Sequence, residues 1–117
     1  MDNYRIIFPA GYLNTNIFND NIDVNVIFRT GEVYFGTLVT VENMKSFLDR
    51  GDLYFWMTDM FVVKDLRKET IKLAIQQAIA EEDFKCIFDK IGTLDEIIGD
   101  KSYDELVDMN DLSTDNL

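Results

Sequence analysis

The sequence predicts an α+β fold: an antiparallel sheet of about four to five strands, helices packed on it and a helical acidic C-terminus. Three observations carry that prediction. Ile22, Val24, Val26 and Phe28 alternate with Asp23, Asn25 and Arg29, the period of a half-buried strand. Ile71, Ala74, Ile75, Ala78 and Ile79 recur at helical spacing. Thr93-Leu94-Asp95-Glu96 and Ser102-Tyr103-Asp104-Glu105 both fit the S/T-x-x-E capping box, in which the cap hydroxyl and the Glu carboxylate satisfy free backbone N–H groups reciprocally. With 117 residues, 47% of them apolar, and nine Phe, five Tyr and one Trp, the chain has material for one sizeable core. It divides into a single domain over residues 1–109 and a frayed tail over 110–117.

Residues 4–8 read as a first strand, ended by Pro9 and Gly11. Residues 14–21, with four Asn and one Asp, suit a loop. The alternating strand then meets Thr30-Gly31, a two-residue hairpin turn that places Arg29 against Glu32, Phe28 against Val33, Val26 against Phe35 and Ile22 against Val39. The apolar faces are expected to coincide only in that register or one shifted by an even number, since a one-residue slip would turn one set toward water. Thr40 caps a short helix with Glu42 in its first turn, and Val41, Met44, Phe47 and Leu48 form one apolar stripe before Arg50-Gly51-Asp52 ends it.

Residues 53–63 form the most apolar stretch, large and apolar at nine of eleven positions and holding the lone Trp56. The expectation is two strands, 53–57 and 60–63, at the centre of the sheet, with a turn at Thr58-Asp59 and with Tyr54, Phe55 and Trp56 in the core. Asp59 is not expected to be buried unpaired. The main helix follows over 65–82, and Phe84, Ile87, Phe88 and Ile91 mark a second helical segment stopped by Gly92. Short helices are expected near 94–98 and 103–109.

Charge is unevenly spread. Residues 1–80 hold ten acidic and eight basic side chains, a net of −2, while residues 81–117 hold twelve acidic side chains and three Lys, a net of −9. Such a field repels nucleic acid and anionic membranes and attracts basic surfaces. No apolar run approaches the ~20 residues that span a bilayer. The start lacks a basic, apolar leader and the lone Cys86 forms no internal disulfide, so the expected compartment is cytoplasmic.

With no His, Ser-His-Asp and Cys-His nucleophiles are excluded along with the commonest metal ligand. Cys86, between core positions of a helix, reads as a small buried thiol. Residues 111–115 alternate oxygen ligands as a calcium loop does, but lack its central Gly and its terminal Glu, so a solvated terminus is expected. The glycines form no phosphate-cradling pattern. Asp23, Glu32 and Asp59 join no recognisable acid–base constellation. Neither a catalytic residue nor a metal ligand nor a cofactor is assigned.

GEVYFGTLVTVEN (31–43), YFWMTDMFVV (54–63) and DLRKETIKLAI (65–75) together resemble a group of small acidic bacterial proteins that is similar to the immunity proteins of polymorphic toxin systems. The resemblance spans about residues 22–91 and implies a non-enzymatic inhibitor that binds another protein. The charge pattern independently favours a basic partner, such as a nucleic-acid-acting toxin or nuclease, blocked by carboxylates standing where phosphates would lie. The expected contacts are Asp95, Glu96, Asp100, Asp104, Glu105 and Asp108. Alternatives are a phage-type inhibitor of a host nucleic-acid-targeting defence complex, a carboxylate-based metal-dependent enzyme and an oligomerising module with an open sheet edge.

Overall fold

The alternating segment and the apolar segment after it pair as β2 (Asn21–Phe28) and β3 (Glu32–Thr40) in a computed structural model that describes residues 4–106. Their register differs by one residue from the expected one: Ile27 faces Val33, Val26 faces Tyr34 and Ile22 faces Leu38. The connection has three residues, not two. Gly31 N–H donates to Phe28 O at 2.8 Å, and Gly31 takes φ +108°, which glycine adopts at no steric cost. The shift is tolerated because β3 is apolar on both faces. Ile22, Val24 and Val26 meet Tyr34 and Leu38 on one side, and Ile27 meets Val33 on the other.

β3 is therefore the centre of the sheet, a place the sequence reading assigned to residues 53–63. β1 (Tyr4–Ile7) pairs antiparallel with the far edge of β2. Along the opposite edge of β3, β5 (Asp89–Thr93) pairs antiparallel with residues 32–35 and β4 (Met60–Val63) pairs parallel with residues 37–40. The sheet is antiparallel apart from β4. A parallel pair needs a crossover, and α1 (Val41–Asp49) with the loop after it supplies one.

α2 (Lys68–Ala80), shorter than the expected 65–82, covers one face. Its predicted stripe is the buried one, with Ile71, Ile75 and Ala78 packed against Tyr4, Ile6, Val24, Leu38, Val63 and Leu66. Asp65 replaces the expected first turn. Its carboxylate accepts from Arg67 N–H at 3.1 Å. Burial pushes its pKa up, but the bonds from the Thr70 hydroxyl and the Arg67 N–H outweigh that and leave it below the ordinary value of 3.8.

The second predicted helix divides into one turn, α3 (Phe84–Ile87), and then β5. Phe88 leaves the helix to lie across β3, where a Cβ at Gly36 would stand 2.3 Å from its ring. Gly92, expected to stop a helix, sits inside a strand beside a register shift. Cys86 is exposed, not buried, because a single turn buries only Phe84 and hides no second side.

The other sheet face is covered at one end by the C-terminal segment, where Tyr103 and Leu106 pack on Ile27 and Val33. α1 lies toward the other end, with Asn21 Nδ2 donating to Asn43 Oδ1 at 2.8 Å. Thr40 caps α1 as expected, accepting from Asn43 N–H at 3.2 Å. Its apolar stripe is not buried, however: Met44 and Phe47 are half-buried, while Val41 and Leu48 are exposed. Among the described residues no helix is long and apolar enough to cross a membrane.

Candidate functional site

Residues 50–59 connect α1 to β4 and carry the most conspicuous surface of the molecule. α1 stops because Gly51 takes φ +111°, letting its N–H reach Leu48 O at 3.1 Å and the Asp52 N–H reach Phe47 O at 3.3 Å. Asp59 turns the chain into β4 at φ +51°, a left-handed conformation that Asp tolerates better than most residues. Its carbonyl accepts from Thr37 N–H at 2.9 Å. The acidic residue inside the apolar run is thus a turn residue.

Between those two turns the chain forms no strand, contrary to the expectation for residues 53–57. Phe55 rests against Phe47, with ring centroids 5.2 Å apart, and the Arg50 guanidinium lies 4.2 Å from the Phe47 centroid. Leu53, Tyr54 and Trp56 stand in water, 96%, 71% and 65% exposed. The core assigned to Tyr54 and Trp56 from sequence is therefore corrected, while Phe55 is partly covered. Grouped exposed apolar side chains mark interaction surfaces, and Trp and Tyr are over-represented among residues that dominate binding energy.

The acidic segment lies against the β2–β3 connection, where Leu94 N–H donates to Gly31 O at 2.7 Å. α4 (Leu94–Ile97) starts at the Thr93 capping box, in which Glu96 Oε1 accepts from Thr93 N–H at 2.9 Å. A 3-10 turn over Tyr103–Glu105 starts at the second box, with Glu105 Oε1 accepting from Ser102 N–H at 2.7 Å. Arg5 and Arg29 both lie 4.6 Å from the centroid of Tyr103, and Arg5 Nε donates to Tyr103 O at 3.1 Å. Arg29 Nη1 also reaches Asp104 Oδ1 at 3.3 Å. These cationic and aromatic contacts fasten the segment to the sheet.

All five described members of the sequence-predicted contact set are exposed on this segment. They differ in what their carboxylates already do. Glu96 and Glu105 serve as caps and Asp104 pairs with Arg29. Asp95 and Asp100 carry no ion pair or side-chain hydrogen bond among the described residues. Asp108, the calcium-like stretch 111–115 and the tail 110–117 lie outside the described residues.

Among the described residues no group of three or more Cys, Asp or Glu is close enough to hold a metal ion. Glu32, on the hairpin, is held below its ordinary value by the hydroxyl of Thr30. That bond tightens the hairpin turn and is not an acid–base device. The aromatic surface was missed in the sequence because high apolar density reads as core. The loop signals on either side, Arg50-Gly51-Asp52 and Thr58-Asp59, were the cue that the stretch between them is a connection. No family model matches the chain, and no curated protein or solved structure matches it.

Proposed function

We propose that this chain is a non-enzymatic inhibitor of the immunity type, which binds and blocks a basic partner protein such as a nucleic-acid-acting toxin or nuclease. The single observation that carries the reading is the exposure of Leu53, Tyr54 and Trp56 together on one short connection. Keeping such side chains in water has no role in stability, and burying them against a partner supplies the hydrophobic gain that drives association. The net charge of −11 and the carboxylates of Asp95 and Asp100 give the partner its sign. Complementary charge raises the encounter rate and weakens with salt, while aromatic anchors slow dissociation.

The test uses affinity capture from the source cell at low and high salt, followed by binding kinetics with the partner recovered. Tyr54→Ala and Trp56→Ala should each raise the dissociation rate tenfold or more with the association rate nearly unchanged. Asp95→Asn with Asp100→Asn should mainly slow association and flatten its salt dependence. These two acids are the clean choice, because neutralising Glu96, Asp104 or Glu105 would also remove a cap or an ion pair. Recovery of no basic partner at low salt, or an unchanged dissociation rate in both aromatic variants, would sink the reading.

A further inference from the structure

A second surface lies on the far side of β4. Because β4 pairs only with β3, the outer edge of Met60–Val63 makes no hydrogen bond among the described residues. An unpaired strand edge presents N–H and C=O groups ready to accept another strand. This one borders a groove of about 480 Å³. The wall facing β4 is α2, through Leu73, Ala74 and Gln77, with Ile87 of α3 behind them.

The dimensions suit a strand. The lining on this wall runs from Thr70 in α2 to Glu81 just past its end, which at 1.5 Å per residue is roughly 16 Å. An extended chain covers that distance with about five residues. Strand addition of this kind draws affinity from main-chain bonds along the edge, and selectivity from pockets that take alternate side chains. Leu73, 64% exposed, and Val62, 42% exposed, are the apolar surface such side chains would cover.

Charge decides the occupant. Asp83 lines the groove beside Glu81 beyond the C-terminal end of α2, while Lys64 lines it near the N-terminal end. α2 closes in a tight turn in which Glu82 takes φ +64° and Asp83 N–H returns to Ala78 O at 2.9 Å, so a non-glycine residue holds a left-handed conformation where the acidic end is formed. A second copy of this chain would bring another net charge of −11 against the first. A basic segment meets attraction instead. We propose that the groove between β4 and α2 binds an extended peptide segment of a partner protein, added as a strand to the edge of Met60–Val63, with apolar side chains against Leu73 and Ala74 and a basic side chain at Glu81 and Asp83.

The proposal goes beyond the inhibitor reading and is tested separately from it, on the intact chain and on its Trp56→Ala variant. The probes are three capped hexapeptides: valine alternating with lysine, valine alternating with glutamate, and the lysine peptide N-methylated at alternate backbone amides. Amide chemical shifts and light scattering are recorded at rising peptide concentration. The lysine peptide should shift the amides of residues 60–64 and of the Leu73–Gln77 side of α2, alike in both chains. The glutamate and N-methylated peptides should bind at least tenfold more weakly. Glu81→Lys with Asp83→Lys, both on exposed side chains, should reverse the preference to the glutamate peptide. The proposal is overturned by no shift at these amides at millimolar peptide, by equal binding of the N-methylated peptide, or by a dimer that buries the β4 edge.

Discussion

β3 and the connection after α1 are built from the same kind of residue. One holds Val33, Tyr34, Phe35, Leu38 and Val39, the other Leu53, Tyr54, Phe55, Trp56 and Met57. Val33, Leu38 and Val39 are wholly withdrawn from water, whereas Leu53 is 96% exposed. The backbone makes the difference. β3 has strands along both edges, so its peptide groups are satisfied inside the protein and its side chains can be covered on both faces. Residues 53–57 have no ladder partner, so their peptide groups stay within reach of water and keep the side chains at the surface. Apolar content alone therefore does not say which stretch is core.

The comparison can be broken at four places. The largest effect is expected at Ile75, fully buried against the sheet: Ile75→Ala should cost about 2–5 kcal/mol, read from urea unfolding. A loss below ~1 kcal/mol would mean that α2 is not the helix that closes the core.

Next comes Asp65, which ties the start of that helix. Its folded pKa lies below the unfolded value of 3.8, so its contribution is complete above that value and is lost as the pH falls from 3.8 toward the folded pKa. Asp65→Asn should cost about 1 kcal/mol near neutral pH, and the difference from the parent should vanish in acid. A difference that is constant with pH would refute the role given to the charge.

An effect of similar size and opposite sign is expected where the two helices end. α1 turns through Gly51 and α2 makes the same turn through Glu82 at φ +64°. Glu82→Gly should stabilise the chain by about 1 kcal/mol, since only glycine takes that conformation without strain; thermal unfolding reads the gain.

The smallest effect on stability is expected at Trp56 and Tyr54. Each alanine variant should change unfolding free energy by no more than about 0.5 kcal/mol. Because Trp56 is the one tryptophan, its emission reports the loop directly. The emission should be that of a hydrated indole and should be quenched freely by iodide. A blue-shifted, protected Trp56, with a cost of several kcal/mol on truncation, would return these residues to the core.

Much of the architecture was readable from local pattern. The stripe on α2, the Thr40 cap of α1, both capping boxes and the strands at 4–8 and 60–63 all stand as expected or with trimmed ends, since each depends on neighbours within a few residues. The candidate site was legible only in part. The acidic residues could be named from composition, yet not that Glu96 and Glu105 serve as caps or that Asp104 meets Arg29, a contact spanning 75 positions in sequence.

By itself, then, the sequence determined the α+β class, the caps at Thr40, Thr93 and Ser102, one covering helix and the acidic sign of the surface. Tertiary structure decided the register of β2 on β3, the parallel entry of β4, the exposure of Cys86 and the outward placing of Leu53, Tyr54 and Trp56. The physical reason is one of range. Periodicity and capping are fixed by hydrogen bonds a few residues apart, whereas burial is fixed by whatever distant segment arrives to cover a face. For residues 53–57 little arrives beyond Phe47 beneath Phe55, and the most apolar stretch of the chain becomes part of its surface.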